Sequence, residues 1–306
     1  MLRFIIRRLL VTIPMIVVVI TLTWGLIRLA PGNFYSGEKK IPKAVEKNIR
    51  EKYGLNKPWY VQYGRTMGHI VRLDFGDSLK YQGQSVNTII ARSLPVSAIV
   101  GILAYLLALI VGITVGSIAA LKQNSKWDYA SMALAMLGIS IPNFVLGPLL
   151  VLLFSLALYW LPPSRWSGFP SRSVVLPVLT LSAIYMAYIA RLTRAGMLEV
   201  LRSDYIRTAR AKGLRERDVV IRHALRGGIM PVVSFTGPAL AFLLTGTVVV
   251  ERIFALPGLG NYFIQASLNR DEPLILGIVA FIAMTLLIMN LLVDIAYAFL
   301  DPRIRY

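Results

Sequence analysis

Six long apolar runs alternate with polar connectors along the chain, and each has the length of a membrane-spanning helix, about 20 residues. They cover Leu9 to Leu29, Pro95 to Leu121, Tyr129 to Leu161, Val174 to Ala190, Ile229 to Val250 and Leu274 to Leu300. Arg3, Arg7 and Arg8 precede the first run, and no small-residue cleavage site follows it. The pattern predicts a retained first span rather than a removed signal peptide. The third run is long and holds Pro142 and Pro148, which predicts a kink.

The connectors are unequal. Residues 31–94 are polar and turn-rich, with apolar positions at helical spacing over Pro42 to Tyr53 and again over Val86 to Ser93. Gly54 is expected to stop the first of these helices. This part reads as a small segment outside the membrane, too short for a large core of its own. Proline suits the first turn of a helix, so the second span is expected to begin at Pro95. The predicted organisation is a cytoplasmic tip and first span (1–30), an external segment (31–94), a helical core (95–300) with an inner loop (191–228), and a tail (301–306).

That inner loop is the most charged part of the chain. Within it, Ser203 to Gly213 reads as a short helix. Ser203 or Asp204 is placed to cap its start, and Gly213 to end it in the left-handed conformation. Ile206, Ala209 and Ala211 give an apolar side; Arg207, Arg210 and Lys212 give a basic one. Two readings fit these residue types: a surface helix presented to a partner, and an ordinary cytoplasmic loop, which is usually basic.

Composition supports the membrane assignment. The chain is 56% hydrophobic and 16% charged, with mean hydropathy +0.65. The net charge of +18 flanks apolar runs, which fits anionic headgroups and topology, and no nucleic-acid motif accompanies it. Cysteine is absent, which excludes disulfide and thiolate chemistry. The proposed inner segments hold 17 Lys and Arg, against 4 in the short outer loops. Both termini are therefore expected in the cytoplasm, with 31–94 outside.

The usual signatures of chemistry are missing. There is no phosphate-binding G-x-x-x-x-G-K-[ST] loop, no G-x-S-x-G elbow and no cluster with metal-ligand spacing. His69 and His223 fall on opposite sides of the membrane. Asp294 is the one acidic group within a proposed span, with Asn290 one turn before it. An ion-coupled carrier needs more such groups, and no filter sequence suggests a channel. What remains is a membrane subunit without its own engine.

Residues 205–213, Y-I-R-T-A-R-A-K-G, with H-A-L-R at 223–226 and Pro231, resemble the cytoplasmic coupling loop of binding-protein-dependent ABC importer permeases of the peptide/nickel branch. Arg207-Thr208-Ala209 stands where the general pattern has Glu-Ala-Ala, a departure that fits this branch. Other matching stretches run in order along the chain: R-L-A-P-G at 28–32, K-Y-G-L-N-K-P at 52–58, D-F-G-D-S at 74–78, K-W-D-Y at 126–129, E-R-I-F-A-L-P-G-L-G at 251–260, N-R-D at 269–271 and D-P-R-I-R-Y at the end.

The resemblance implies an all-α fold of six transmembrane helices, of the type I importer permease kind, moving oligopeptides by alternating access. It implies a second, similar permease, two cytoplasmic ATPases that bind ATP and Mg, and an external peptide-binding protein. It makes Ser203, Asp204, Tyr205, Ile206, Arg207, Thr208, Ala209, Arg210, Ala211, Lys212 and Gly213 the coupling helix. It points to Glu251, Arg252, Pro257, Gly258, Gly260, Arg270 and Asp271 as a loop that re-enters the outer leaflet or meets the binding protein. Pro142, Asn143, Asn290 and Asp294 are candidates for the path. The alternatives are a dipeptide, nickel or other small-solute permease of the same branch and, more distantly, an ion-coupled carrier.

Overall fold

The computed structural model describes residues 2–29, 47, 51, 54, 56–163 and 165–300, without the side chains of 2–9, 12, 294 and 296–300. The helix expected over 42–53 falls largely outside these residues, as does the tail from 301. The described residues are helical apart from short connectors and one bridge, between Asp77 and Ser85.

Helix α1 (Leu2–Leu29) covers the run expected as the first span, and its apolar stretch among the described residues is the shorter Ile13–Leu29. A short helix, α2 (Trp59–Val71), follows in the polar segment. Among the described residues four stretches are helices long and apolar enough to cross a bilayer: Val86–Leu121, Arg172–Leu201, Met230–Ile253 and Glu272–Val293. They correspond to α3 (Val86–Leu121), α6 (Val175–Leu201), α8 (Met230–Leu244) with α9 (Val248–Ile253), and the first part of α11 (Glu272–Leu300).

Two boundaries differ from expectation. The piece at 86–93 and the second span are one helix, with Pro95 inside it. An interior proline costs about 3 kcal/mol. Val86, Ile89 and Ile90 are buried beneath it against Leu259, Leu274 and Ile278, at about 1.5–3 kcal/mol for each side chain, so burial wins. The fourth span also continues past Ala190 to Leu201, because Thr193, Gly196 and Met197 are buried as well.

The third span breaks where proline predicts. Helix α4 (Lys126–Ser140) ends before Ile141, whose extended ψ of 112° is what a following proline demands. Helix α5 (Asn143–Val151) begins after Pro142 and continues as a π-helical turn, Leu152–Ala157. The two arms are bent by 101°. Pro148 lies within α5 and does not end it.

The chain divides into two compact units: residues 1–96 with 257–287, and residues 97–256 with 288–306. In the first, Ile20 and Trp24 of α1 pack with Ile70, Leu276 and Ala280. Helix α10 (Leu259–Asn269) adds Leu259 and Ala266 to a second cluster. In the other unit α6 is the centre, with Leu176, Leu181, Ile189 and Met197 almost wholly buried. Glycines let its neighbours approach closely. A Cβ on Gly116 would collide with the Ala190 carbonyl, and one on Gly138 would lie 3.0 Å from that of Ala183.

Candidate functional site

The basic segment starts two residues after α6. Helix α7 (Asp204–Ala211) is slightly shorter than the 203–213 expected. Ser203 occupies its N-terminal boundary but gives no side-chain cap; its hydroxyl donates to the Val200 carbonyl at 2.6 Å. Asp204, in the first turn, accepts from Arg207 at 3.2 Å. Gly213 has φ +76°, and its N–H donates to the Arg210 carbonyl at 2.9 Å. That conformation is cheapest for glycine.

Ile206 and Ala209 are buried, three residues apart on one face. They meet Met197 of α6, Ala120 at the end of α3, and Val219 and Ala224 of the returning chain. Ala211 is exposed, contrary to expectation, since it falls on the opposite side of the turn. Tyr205, Arg207, Thr208, Arg210 and Lys212 are exposed. Arg210 closes the loop behind it, donating to Glu216 through Nε at 3.1 Å and Nη2 at 2.7 Å. That hydrogen bond holds the Glu216 carboxyl below the usual carboxylate range. The helix is thus fixed to the end of α6 along one side and open along the other.

A second connection fixes α6 itself. Arg194 donates to both oxygens of Asp128 at the start of α4, and Asp128 is 2% exposed. Asp128 also accepts from the Asn124 N–H at 3.0 Å, while its own N–H donates to Ser125. Nothing local in the sequence pairs Asp128 with Arg194; the match depends on how α4 packs on α6.

The outer-loop candidates divide between the two units. Glu251, in α9, is buried and accepts from the Ser97 hydroxyl at 2.7 Å. Its carbonyl accepts from the Leu256 N–H at 2.8 Å. Arg252 is exposed. Of the residues in the other unit, Pro257 is exposed, whereas Gly258 and Gly260 are buried at the start of α10. Arg270 ends α10 in the left-handed conformation, φ 54°. Asp271 is fully buried. It accepts from the N–H groups of Leu79 and Lys80, each at 3.1 Å, from the Ser78 hydroxyl, and from the Leu274 N–H at 3.3 Å. It caps α11 and secures residues 78–80, so its carboxylate is turned inward, where direct contact with a partner is not available to it.

The path candidates are spread out. Pro142 and Asn143 stand at the break between α4 and α5. Asn290 lies against Gly237 of α8, where a Cβ would come within 2.9 Å of its Oδ1. The Asp294 side chain lies outside the described residues. Among the described residues no group of three or more His, Cys, Asp or Glu is placed to hold a metal ion.

Residues 112–306 match the family described as binding-protein-dependent transport system inner membrane component, and residues 1–101 match its N-terminal counterpart. The chain is 47% identical over 306 residues to the oligopeptide transport system permease protein OppB of Escherichia coli (strain K12), with 100% of both chains covered. It is 44% identical over 305 residues to the dipeptide transport system permease protein DppB of Bacillus subtilis (strain 168), covering 100% of this chain and 98% of that one. Among solved structures it resembles the MetNI methionine ABC transporter in an inward-facing conformation. The TM-score is 0.59 at 14% identity, over 70% of this chain and 96% of that one, a likeness of fold.

Proposed function

The chain belongs to the binding-protein-dependent transport system inner membrane components, and from that premise we propose that it forms one half of a peptide gate in the bacterial cytoplasmic membrane. It is the permease subunit of an ABC importer. The other half is a second, similar permease. An external binding protein delivers peptide, and two cytoplasmic ATPases hold the ATP and Mg that this chain has no phosphate loop to bind. Both termini and α7 face the cytoplasm.

The observation that carries this reading is the attachment of α7. Ile206 and Ala209 fix it to Met197, while Arg207, Arg210 and Lys212 remain exposed. A helix held in this way transmits displacement instead of absorbing it. When the ATPases close on ATP they move α7, and α6 moves with it. Binding of ATP can only favour one of two arrangements already accessible to the permease pair.

Oligopeptide cargo is supported by the full-length match to the oligopeptide permease. The 44% match to a dipeptide permease supports shorter peptides as the second reading. Uptake into proteoliposomes tests the proposal. Labelled peptide should accumulate only with ATP, both ATPases and the binding protein present. Accumulation by this chain under an ion gradient, with no ATPase, would establish a secondary carrier instead.

A further inference from the structure

The exposed side of α6 carries a cation with no partner among the described residues. Arg191 is exposed, and among the described residues it makes no ion pair or hydrogen bond. Arg194, three residues on, is already committed to Asp128. That pair lies at the start of α4, just beyond the polar connector 122–125. It marks the level at which the chain enters the apolar layer. Arg191 lies about 5 Å deeper, one helical turn along α6. Trp127 and Tyr129, at 63% and 67% exposure, mark the same interface, as exposed aromatic rings do at the headgroup level.

Beside Arg191 is a groove of about 480 Å³ lined by Met132, Tyr188, Leu192, Ala195 and the two arginines. Its walls are apolar except for the guanidinium groups and one phenol. An extended peptide would find few partners there for its backbone N–H and C=O groups, which are costly to leave unpaired away from water. An uncompensated arginine at this depth needs an anion, and an arginine stem can lie along apolar surface while its head reaches the interface. A phospholipid offers both properties in one molecule.

We infer that this groove is a binding site for an anionic phospholipid. The headgroup phosphate accepts hydrogen bonds from Arg191 in the forked geometry that guanidinium favours. One acyl chain lies between Met132 and Leu192. The site is on the helix that leads through two residues into α7, so the lipid contacts the element that carries the coupling segment. The inference needs only that α6 crosses a bilayer, and it stands whatever the cargo.

The test uses the complete importer in nanodiscs of equal parts phosphatidylglycerol and phosphatidylcholine, with retained lipid counted by native mass spectrometry. The wild-type complex should retain phosphatidylglycerol over phosphatidylcholine by about tenfold, equivalent to about 1.4 kcal/mol, because the choline cation offsets the phosphate charge that phosphatidylglycerol leaves for the guanidinium. Arg191→Gln should bring that ratio near parity, and Arg191→Lys should keep part of it. Met132→Trp fills the groove with the charge intact and should lower retention of both lipids. Arg172→Gln, at the other end of the same span, should change nothing. Parity in the wild-type complex, or unchanged selectivity in Arg191→Gln, would overturn the site. So would a cross-link from position 191 to the second permease, which would show the groove covered by protein.

Discussion

Arg194 grips Asp128 with two hydrogen bonds, Nε to Oδ1 at 2.6 Å and Nη2 to Oδ2 at 2.7 Å. The pair joins the start of α4 to the last third of α6, the helix that leads into α7. Removing one partner leaves the other's charge uncompensated, which for a buried pair costs about 3–5 kcal/mol. Arg194→Met should therefore lower the thermal stability of the assembled complex more than Arg194→Met combined with Asp128→Leu. A double variant as damaging as the sum of its parts would show that the two residues do not act together.

Gly213 is a backbone position, not a packing position. Its φ is +76°, and a Cβ there would meet nothing within 4 Å. The cost of substitution is then purely conformational, about 1–2 kcal/mol for an ordinary residue in the left-handed region. Gly213→Asn should be tolerated, Gly213→Ala should weaken stimulated ATP hydrolysis, and Gly213→Val should weaken it most, with membrane insertion intact in all three. Equal activity of the asparagine and valine variants would mean that the turn does not position α7.

Asp271 supports its surroundings with four accepted hydrogen bonds. Asp271→Ala removes the acceptor of the Leu79, Lys80 and Leu274 N–H groups and of the Ser78 hydroxyl proton, at about 1–3 kcal/mol for each buried group that finds no other partner. Residues 74–84 should become sensitive to limited proteolysis in this variant. Asp271→Asn, which keeps one carbonyl oxygen, should be intermediate. Resistance equal to wild type in Asp271→Ala would show that the loop is held by other contacts.

The Arg210–Glu216 pair sets a pH dependence with a definite sign. Hydrogen bonding to Arg210 lowers the Glu216 pKa in the folded chain. Its contribution is therefore complete above the ordinary glutamate value of 4.5 and is lost as the pH falls through the lower folded value. Both side chains are well exposed, so the effect is small. Hydrogen exchange in 209–216 should show no Glu216-dependent change between pH 8 and 6, and Glu216→Gln should abolish the change on the acid side. Loss of protection on raising the pH instead would contradict this sign.

The apolar runs were legible because a helix facing lipid on most sides needs apolar residues all round, and that signal is local. The buried side of α7 was legible for the same reason: Ile206 and Ala209 repeat at helical spacing. Ala211 was misplaced because one more apolar residue nearby does not fix which side of the turn it occupies. The break at Pro142 could be read from proline chemistry, but not that Pro95 would be absorbed into α3. That outcome depends on Val86, Ile89 and Ile90 finding Leu259 and Leu274 far along the chain. The inward turn of Asp271, the pairing of Glu251 with Ser97 and the Asp128–Arg194 pair were hidden likewise. Their partners are 66 to 193 residues apart in sequence.

The central claim is that α7 receives force from an ATPase and passes it to α6. The chain has no cysteine, so a single one introduced at Arg207 can be followed without background. Cross-linking from that position in the assembled importer, with and without ATP, is the most direct measurement. The expected result is an adduct with an ATPase subunit whose yield changes when ATP binds. Adducts with lipid alone, in a complex that still transports, would contradict the account.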